Sequence, residues 1–193
     1  LSADFQTKGR GRFHRQWVSP EKKGLLVSYA FKCPRPESLT QLFALSVCSI
    51  LEEIGFNPEI KWPNDIILNQ KKLGGILAEI EGPYAIVGIG LNVNQEEGDL
   101  DINRPAVSLK IETEKEYDVN EILNTLNGKV VKDLSDYMIN GFSSFMPSYK
   151  RHLMHRSGDK LVIDGKTVIF EGIKPDGALQ ASGLTFYTGD IAL

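Results

Sequence analysis

Several things this sequence has little of limit what it can be. Its 193 residues include two cysteines, Cys33 and Cys48, with no CxxC pair and no histidines clustered beside them. That excludes a disulfide scaffold and a structural zinc site, and it points to a reducing cytoplasm as the expected compartment. No apolar run approaches the roughly 20 residues needed to cross a bilayer as a helix, so no membrane partner is expected. No secretory pattern opens the chain. Positive charge is not in excess: 22 Lys and Arg face 25 Asp and Glu, for a net charge of -3. A general nucleic-acid binder is usually basic, so DNA binding is not supported. No GxxxxGK[ST] phosphate loop occurs. His14, His152 and His155 lack metal-ligand spacing, and no serine–histidine–carboxylate set is suggested. The chain opens on Leu1, not a methionine, and meets a motif almost at once. It reads as a fragment that has lost its beginning.

What is present is an ordinary globular composition, 41% apolar and 24% charged, long enough to bury a core. Residues 1–24 are polar and read as a long loop. GLLVSYAFK, 24–32, is β-rich and predicts a buried strand. Ser38 to Gly55 predicts a helix, with a Ser38/Gln41 capping box at its start and Gly55 at its end. Shorter strands are expected over 58–62, 65–68 and 72–80, the last two joined by a turn at 69–71, and another over 85–94. Asp118 and Glu121 form a second capping-box pattern, opening a mostly helical stretch to about Tyr149. Beyond it, Asp164-Gly165, Asp176-Gly177 and Ser182-Gly183 punctuate short apolar runs, the mark of hairpins in a small β-barrel or sandwich. The boundary is expected between Tyr149 and Gly158.

Four segments could carry chemistry. Residues 9–17 hold Gly9, Arg10, Gly11, Arg12, Arg15 and Trp17, with Lys8 adjacent. The glycines allow close backbone approach, and the guanidinium forks suit phosphate or carboxylate. So many like charges repel one another unless an anion collects them. A solvated basic loop or an RNA-contacting arm remains an alternative. Lys61 to Asp65 (KWPND) places the Asn64 amide and the Asp65 carboxylate at a strand start, where they could orient a ligand or hold Mg²⁺. A plain turn is the alternative. Lys71 to Leu77 (KKLGGIL) sets lysines at a hairpin end beside a side-chain-free strip; a flexible hairpin is the alternative. In Gly88 to Asn94 (GIGLNVN), alternate glycines clear one face of a strand, which weakens it unless something packs there.

In this order the four segments resemble the biotin–protein ligase family. That family's Gly-Arg-Gly-Arg-x-x-Arg-x-Trp loop is matched by Gly9, Arg10, Gly11, Arg12, Arg15 and Trp17, and its Lys-Trp-Pro-Asn-Asp by residues 61–65. Its Lys-Leu-x-Gly-Ile-Leu is matched by Lys72, Leu73, Gly75, Ile76 and Leu77, and its Gly-x-Gly-x-Asn by Gly88, Gly90 and Asn92. The resemblance implies an α+β fold, a mixed sheet with packed helices like that of class II aminoacyl-tRNA synthetases. It assigns residues 1–150 to this catalytic domain and 151–193 to an SH3-like β-barrel. It implies an enzyme that makes biotinyl-5'-AMP from biotin and ATP with Mg²⁺, then passes biotin to a lysine of a biotin carboxyl carrier protein.

Lys72, Arg12 and Asp65 are the implied catalytic residues. Lys72 would bind the biotin carboxylate and the α-phosphate it attacks. Gln6, Gly9, Arg10, Gly11, Arg12, Lys72, Gly75, Gly88 and Gly90 would hold biotin. Arg10, Arg12, Arg15, Trp17, Asn64, Asp65, Lys72, Asn92 and Ser108 would hold ATP, with Asp65 on the metal. A monomer or homodimer is implied. The family's first strand and a Ser/Thr-rich segment ending in Thr-Asn, which help form the biotin floor, precede the arginine loop and are missing from this sequence. The rival assignments are a lipoate–protein ligase or octanoyltransferase of the same fold, and a non-catalytic RNA-binding module.

Overall fold

In the nine-residue run from Gly24 to Lys32, the odd-numbered Leu25, Val27, Tyr29 and Phe31 lie on one side of strand β1 (Gly24–Lys32) and join the core. Tyr29 and Phe31 meet the ring of Phe43 on helix α1 (Leu39–Glu53), with centroids 5.5 and 6.1 Å apart. The computed structural model describes residues 1–34, 36–100 and 105–191. Strands β2 (Glu59–Lys61), β3 (Asp65–Leu68), β4 (Lys71–Glu81) and β5 (Tyr84–Asn92) complete a five-stranded antiparallel sheet ordered β1-β5-β4-β3-β2. Asn69 and Gln70, both at positive φ, form a two-residue hairpin turn, which places Lys71 in β4 and not in the turn. Residues 1–24 are less loop-like than their composition suggests. Ala3 N–H donates to the Leu26 carbonyl and Ser28 N–H to that of Leu1, laying the first residues along the edge of β1.

Helix α1 covers one face of this sheet and is buried almost all round, because helix α3 (Val119–Asn140) packs on its other side. Each fully buried leucine or isoleucine there, such as Leu39, Leu42 and Leu51, stabilises by about 1.5–3 kcal/mol. The buried Asp133 carboxylate of α3 is satisfied by Ser46 Oγ at 2.7 Å and Lys129 Nζ at 2.6 Å. Asp118 caps α3 by accepting from the Asn120 and Glu121 N–H groups. The Ser38/Gln41 capping box does not form. Ser38 is left-handed and makes no cap bond, because its hydroxyl donates to the Asp176 carbonyl at 2.5 Å and the Gln41 amide to that of Gly177 at 3.3 Å. Tertiary partners outcompete the local cap.

The short helices α2 (Leu109–Thr113) and α4 (Met146–His152) flank α3 in sequence. After α4 the chain runs beside β2, where Met154 N–H donates to the Ile60 carbonyl at 2.9 Å. It then forms a second antiparallel sheet from β6 (Lys160–Ile163), β7 (Lys166–Ile173), β8 (Leu179–Ala181) and β9 (Leu184–Phe186). Asp164-Gly165 and Ser182-Gly183 are the expected two-residue turns, with positive φ at both positions. The short β8 escaped the sequence reading. Ile191 bridges back to Ile163 and Asp164 N–H donates to the Asp190 carbonyl at 3.2 Å, so the sheet curls toward a barrel that the described residues do not close. The fold is α+β, as expected. Both sheets feed one core cluster, and Trp62 joins them, its indole N–H donating to the Gly177 carbonyl at 2.9 Å.

Candidate functional site

The face of the five-stranded sheet opposite α1 is a floor built in rows. The ladder register aligns Leu26, Gly90, Gly75 and Asp65 across β1, β5, β4 and β3. One step along, Ser28, Gly88 and Leu77 align, and then Ala30, Ile86 and Glu79. Three glycines at the centre leave bare backbone, and above it lies a cavity of about 770 Å³. The Trp17 indole occupies the space over Gly90, where a Cβ would collide with the ring. Its Nε1 is buried without a hydrogen-bond partner among the described residues. A buried donor of this kind is costly unless something meets it.

At one end of the floor the polar groups converge. Lys72 Nζ lies 2.6 Å from Asp65 Oδ1, and a Cβ on Gly75 would sit 3.4 Å from the same ammonium. Asn64 anchors itself by donating to the Ile76 carbonyl at 2.9 Å, and its Oδ1 accepts from Arg12 at 3.1 Å. Asn64 and Asp65 follow the cis Trp62–Pro63 peptide, so the KWPND segment is a buried tryptophan followed by two site residues. Burial pulls the Arg12 guanidinium below its ordinary value, while Asp65 and Asp190 pull it back up. An arginine held this way stays charged.

The arginine loop closes on itself. Trp17 N–H donates to the Gly9 carbonyl and Gly11 N–H to that of Arg15, around a 3₁₀ turn at Arg12–His14. Gly9 is buried, and a Cβ there would strike the Trp17 carbonyl. The expected repulsion among the cations is relieved by the protein's own acceptors. Arg10 pairs with Glu79, and Arg15 makes a two-point pair with Asp190, whose hydrogen bond raises the Arg15 pKa. Arg12 donates to the Gly189 carbonyl at 3.1 Å and to Thr188 Oγ1 at 2.5 Å. Both the Arg12 and Arg15 guanidinium groups lie over the half-exposed Phe13 ring, at 4.7 and 5.7 Å.

Of the residues singled out in the sequence, Gln6, Arg10, Gly11, Arg12, Arg15, Trp17, Asn64, Asp65, Lys72, Gly75, Gly88, Gly90 and Asn92 line the cavity. Gly9 and Ser108 do not. Ser108 is fully buried and caps α2, accepting from Ile111 N–H and donating to the Gln95 carbonyl. The Asn92 amide is also committed, donating to the Val107 carbonyl at 3.0 Å and accepting from Gln95 at 3.3 Å. Arg10 reaches Glu79, two rows from Lys72 and Asp65. Sequence reasoning missed Thr188, Gly189 and Asp190, which are up to 177 residues from their partners and carry no local signal. It also missed Glu79, although period-two counting from Gly75 and Leu77 places it on the same face. No group of three or more potential metal ligands occurs among the described residues.

Residues 2–94 match the profile of the biotin/lipoate A/B protein ligase family. The chain is 37% identical over 153 residues to the bifunctional ligase/repressor BirA of Bacillus subtilis, covering 73% of this chain and 47% of that protein. It is 30% identical over 202 residues to the biotin–[acetyl-CoA-carboxylase] ligase of Paracoccus denitrificans, covering 92% of this chain and 81% of that one. The solved structure of biotin protein ligase from Aquifex aeolicus in complex with biotin and ATP aligns with TM-score 0.89 at 30% identity, covering 100% and 87% of the two chains. The chain thus spans about half the length of several curated relatives that it matches. By these similarities, and by the motif segments gathered around one cavity, the chain belongs to the biotin–protein ligase family.

Proposed function

We propose that this chain is the ligase body that condenses biotin with ATP and passes the biotinyl group to a lysine of a biotin carboxyl carrier protein. The observation that carries this reading is the convergence of Lys72, Asp65, Asn64 and Arg12 at one end of a glycine-cleared floor. Biotin's fused rings are flat and its chain is slender, so the bare backbone at Gly75 and Gly88, beside the Trp17 indole that covers Gly90, suits them. The carboxylate would then lie toward Lys72.

The first step joins a biotin carboxylate oxygen to the α-phosphorus of ATP, and the bond to pyrophosphate breaks. Two anions must meet, so cations fixed at the point of contact lower the barrier. On this reading Lys72 and Arg12 supply them, and one such preorganised donor is worth about 3 kcal/mol. Asp65 fits Mg²⁺ only as part of a ligand set, since this ion is usually held by one or two carboxylates together with substrate phosphates. Bound there, the ion would neutralise phosphate charge. In the second step the neutral lysine amine attacks the acyl carbon, the bond to the phosphate oxygen breaks so that AMP leaves, and the amine gives up one proton to solvent. Asp65, once Lys72 has turned to the phosphate, can accept a hydrogen bond from the incoming amine.

We further propose that residues 151–193 act as a cap to the body formed by residues 1–150. The contacts from Thr188, Gly189 and Asp190 to Arg12 and Arg15 support a role on the nucleotide side. The test of the substrate is pyrophosphate release by the full protein with biotin, lipoate or octanoate as the acid. Release that depends on biotin is expected. Release with lipoate or octanoate alone would replace this reading with the related acyl ligase.

A further inference from the structure

Two side-chain ties hold the arginine loop to the sheet, and they stand at opposite ends of the floor. Arg12 reaches Asn64, beside Asp65 and Lys72. Arg10 reaches Glu79, with Nη2 2.7 Å from Oε2. Glu79 shares a face of β4 with Gly75 and Leu77, and four residues of strand put it about 13 Å from Gly75. It is therefore remote from the converging polar groups, and no motif residue other than Arg10 contacts it through a hydrogen bond or ion pair among the described residues. Arg10 and Gln16 are bridged through the backbone, so a hold on Arg10 restrains the whole turn between them.

We propose that Glu79 is a positioning residue that seats the arginine loop over the cavity by anchoring Arg10, and that Arg10 serves the reaction as this anchor and not as a phosphate ligand. The proposal rests on the ligase reading of the cavity. Both side chains are substantially exposed, 69% and 42%, so the tie is weak. A weak tie suits a loop that must open and close in each turnover.

The test is a charge-reversal cycle in the full protein, with Glu79→Arg, Arg10→Glu and the double variant, reading biotin-dependent pyrophosphate release. Each single reversal should raise the KM for biotin about threefold to fivefold, the range that an exposed pair can carry, with kcat much less affected. The double reversal should restore the KM. Without ligands, Glu79→Gln should speed trypsin cleavage after Arg12 and Arg15 relative to wild type. Unchanged KM and unchanged cleavage in the Glu79 variants would overturn the proposal. So would a collapse of kcat in Arg10→Glu that the double variant does not repair, since that would place Arg10 on the substrate. A wild-type protein with no biotin-dependent release would contradict the ligase reading itself, and the cleavage comparison would still decide the anchor.

Discussion

The floor of the cavity and the loop above it are held by different physics. The floor is a strand ladder: Gly75, Gly88 and Gly90 sit in register between neighbours whose other faces are buried in the core. A one-residue slip would turn every core side chain outward, so its geometry is over-determined. The loop is held by a few side-chain ties to distant residues, of which Arg10–Glu79 and Arg15–Asp190 are solvent-exposed. Exposed ion pairs contribute about 0–1 kcal/mol each. Ordering a backbone residue costs about 1–2 kcal/mol. The difference teaches a division of labour. The sheet presents a fixed surface, and on the proposed reading the loop is poised so that phosphates would compete for Arg12 and Arg15 while Arg10 stays on Glu79.

The largest expected effect comes from removing the cation that the floor itself supplies. Lys72→Ala should slow adenylate formation about a hundredfold, the equivalent of about 3 kcal/mol at a developing charge. Its stability should fall by only about 0.5–1 kcal/mol, because the Lys72–Asp65 pair is partly exposed. Normal adenylation in this variant, measured with α-labelled ATP, would remove Lys72 from the chemistry. Next comes a perturbation of the contact between the two regions. Gly90→Ala puts a Cβ into the Trp17 ring and should cost about 1–3 kcal/mol in chemical unfolding, with the loop displaced. An unaffected variant with full activity would mean that Trp17 does not rest on the floor in solution.

A change within residues 151–193, away from both regions, should move stability without loosening the loop. Burial pushes the His155 imidazole down to about 4. The unfolded chain, near 6.5, then binds more protons between those pH values, so stability is present above pH 6.5 and is lost as pH falls toward 4. The loss attributable to this residue is about 2–3 kcal/mol. His155→Phe should flatten that part of the profile in urea unfolding. An unchanged slope would assign the acid sensitivity elsewhere. The smallest effect is expected from Asp190→Asn. It releases one exposed tie and should shift loop cleavage severalfold while global stability moves by less than about 1 kcal/mol. A large stability loss would mean that the Thr188, Gly189 and Asp190 segment is structural and not a hold on the loop.

Legibility in the sequence follows the same divide. The floor could be read because alternate glycines, apolar alternation and two-residue turns are local signals, and β1, β3 and α1 fall within a residue or two of expectation. The loop's residues were also recognisable, but not where each would point. Arg10 and Arg15 both look like phosphate ligands in a string, and only the folded chain turns one to Glu79 and the other to Asp190. Ser38 and Gln41 have capping-box spacing, yet the Asp176–Gly177 turn claims both side chains. Asn92 sits within a motif and Ser108 is assigned to ATP by the resemblance, but their side chains are spent on Val107, Gln95 and Ile111. Spacing reveals which residues are available; it does not reveal which bonds are already taken.

Amide hydrogen exchange on the full protein, free and then saturated with biotin, ATP and Mg²⁺, tests the division between floor and loop most directly. Amides over 85–92 in β5 should be protected in both states. Those over 9–17 should exchange quickly when free and slow sharply when ligands are bound, and lipoate with ATP should not reproduce the slowing. A loop equally protected with and without ligands, or one protected by lipoate and not by biotin, would contradict the account.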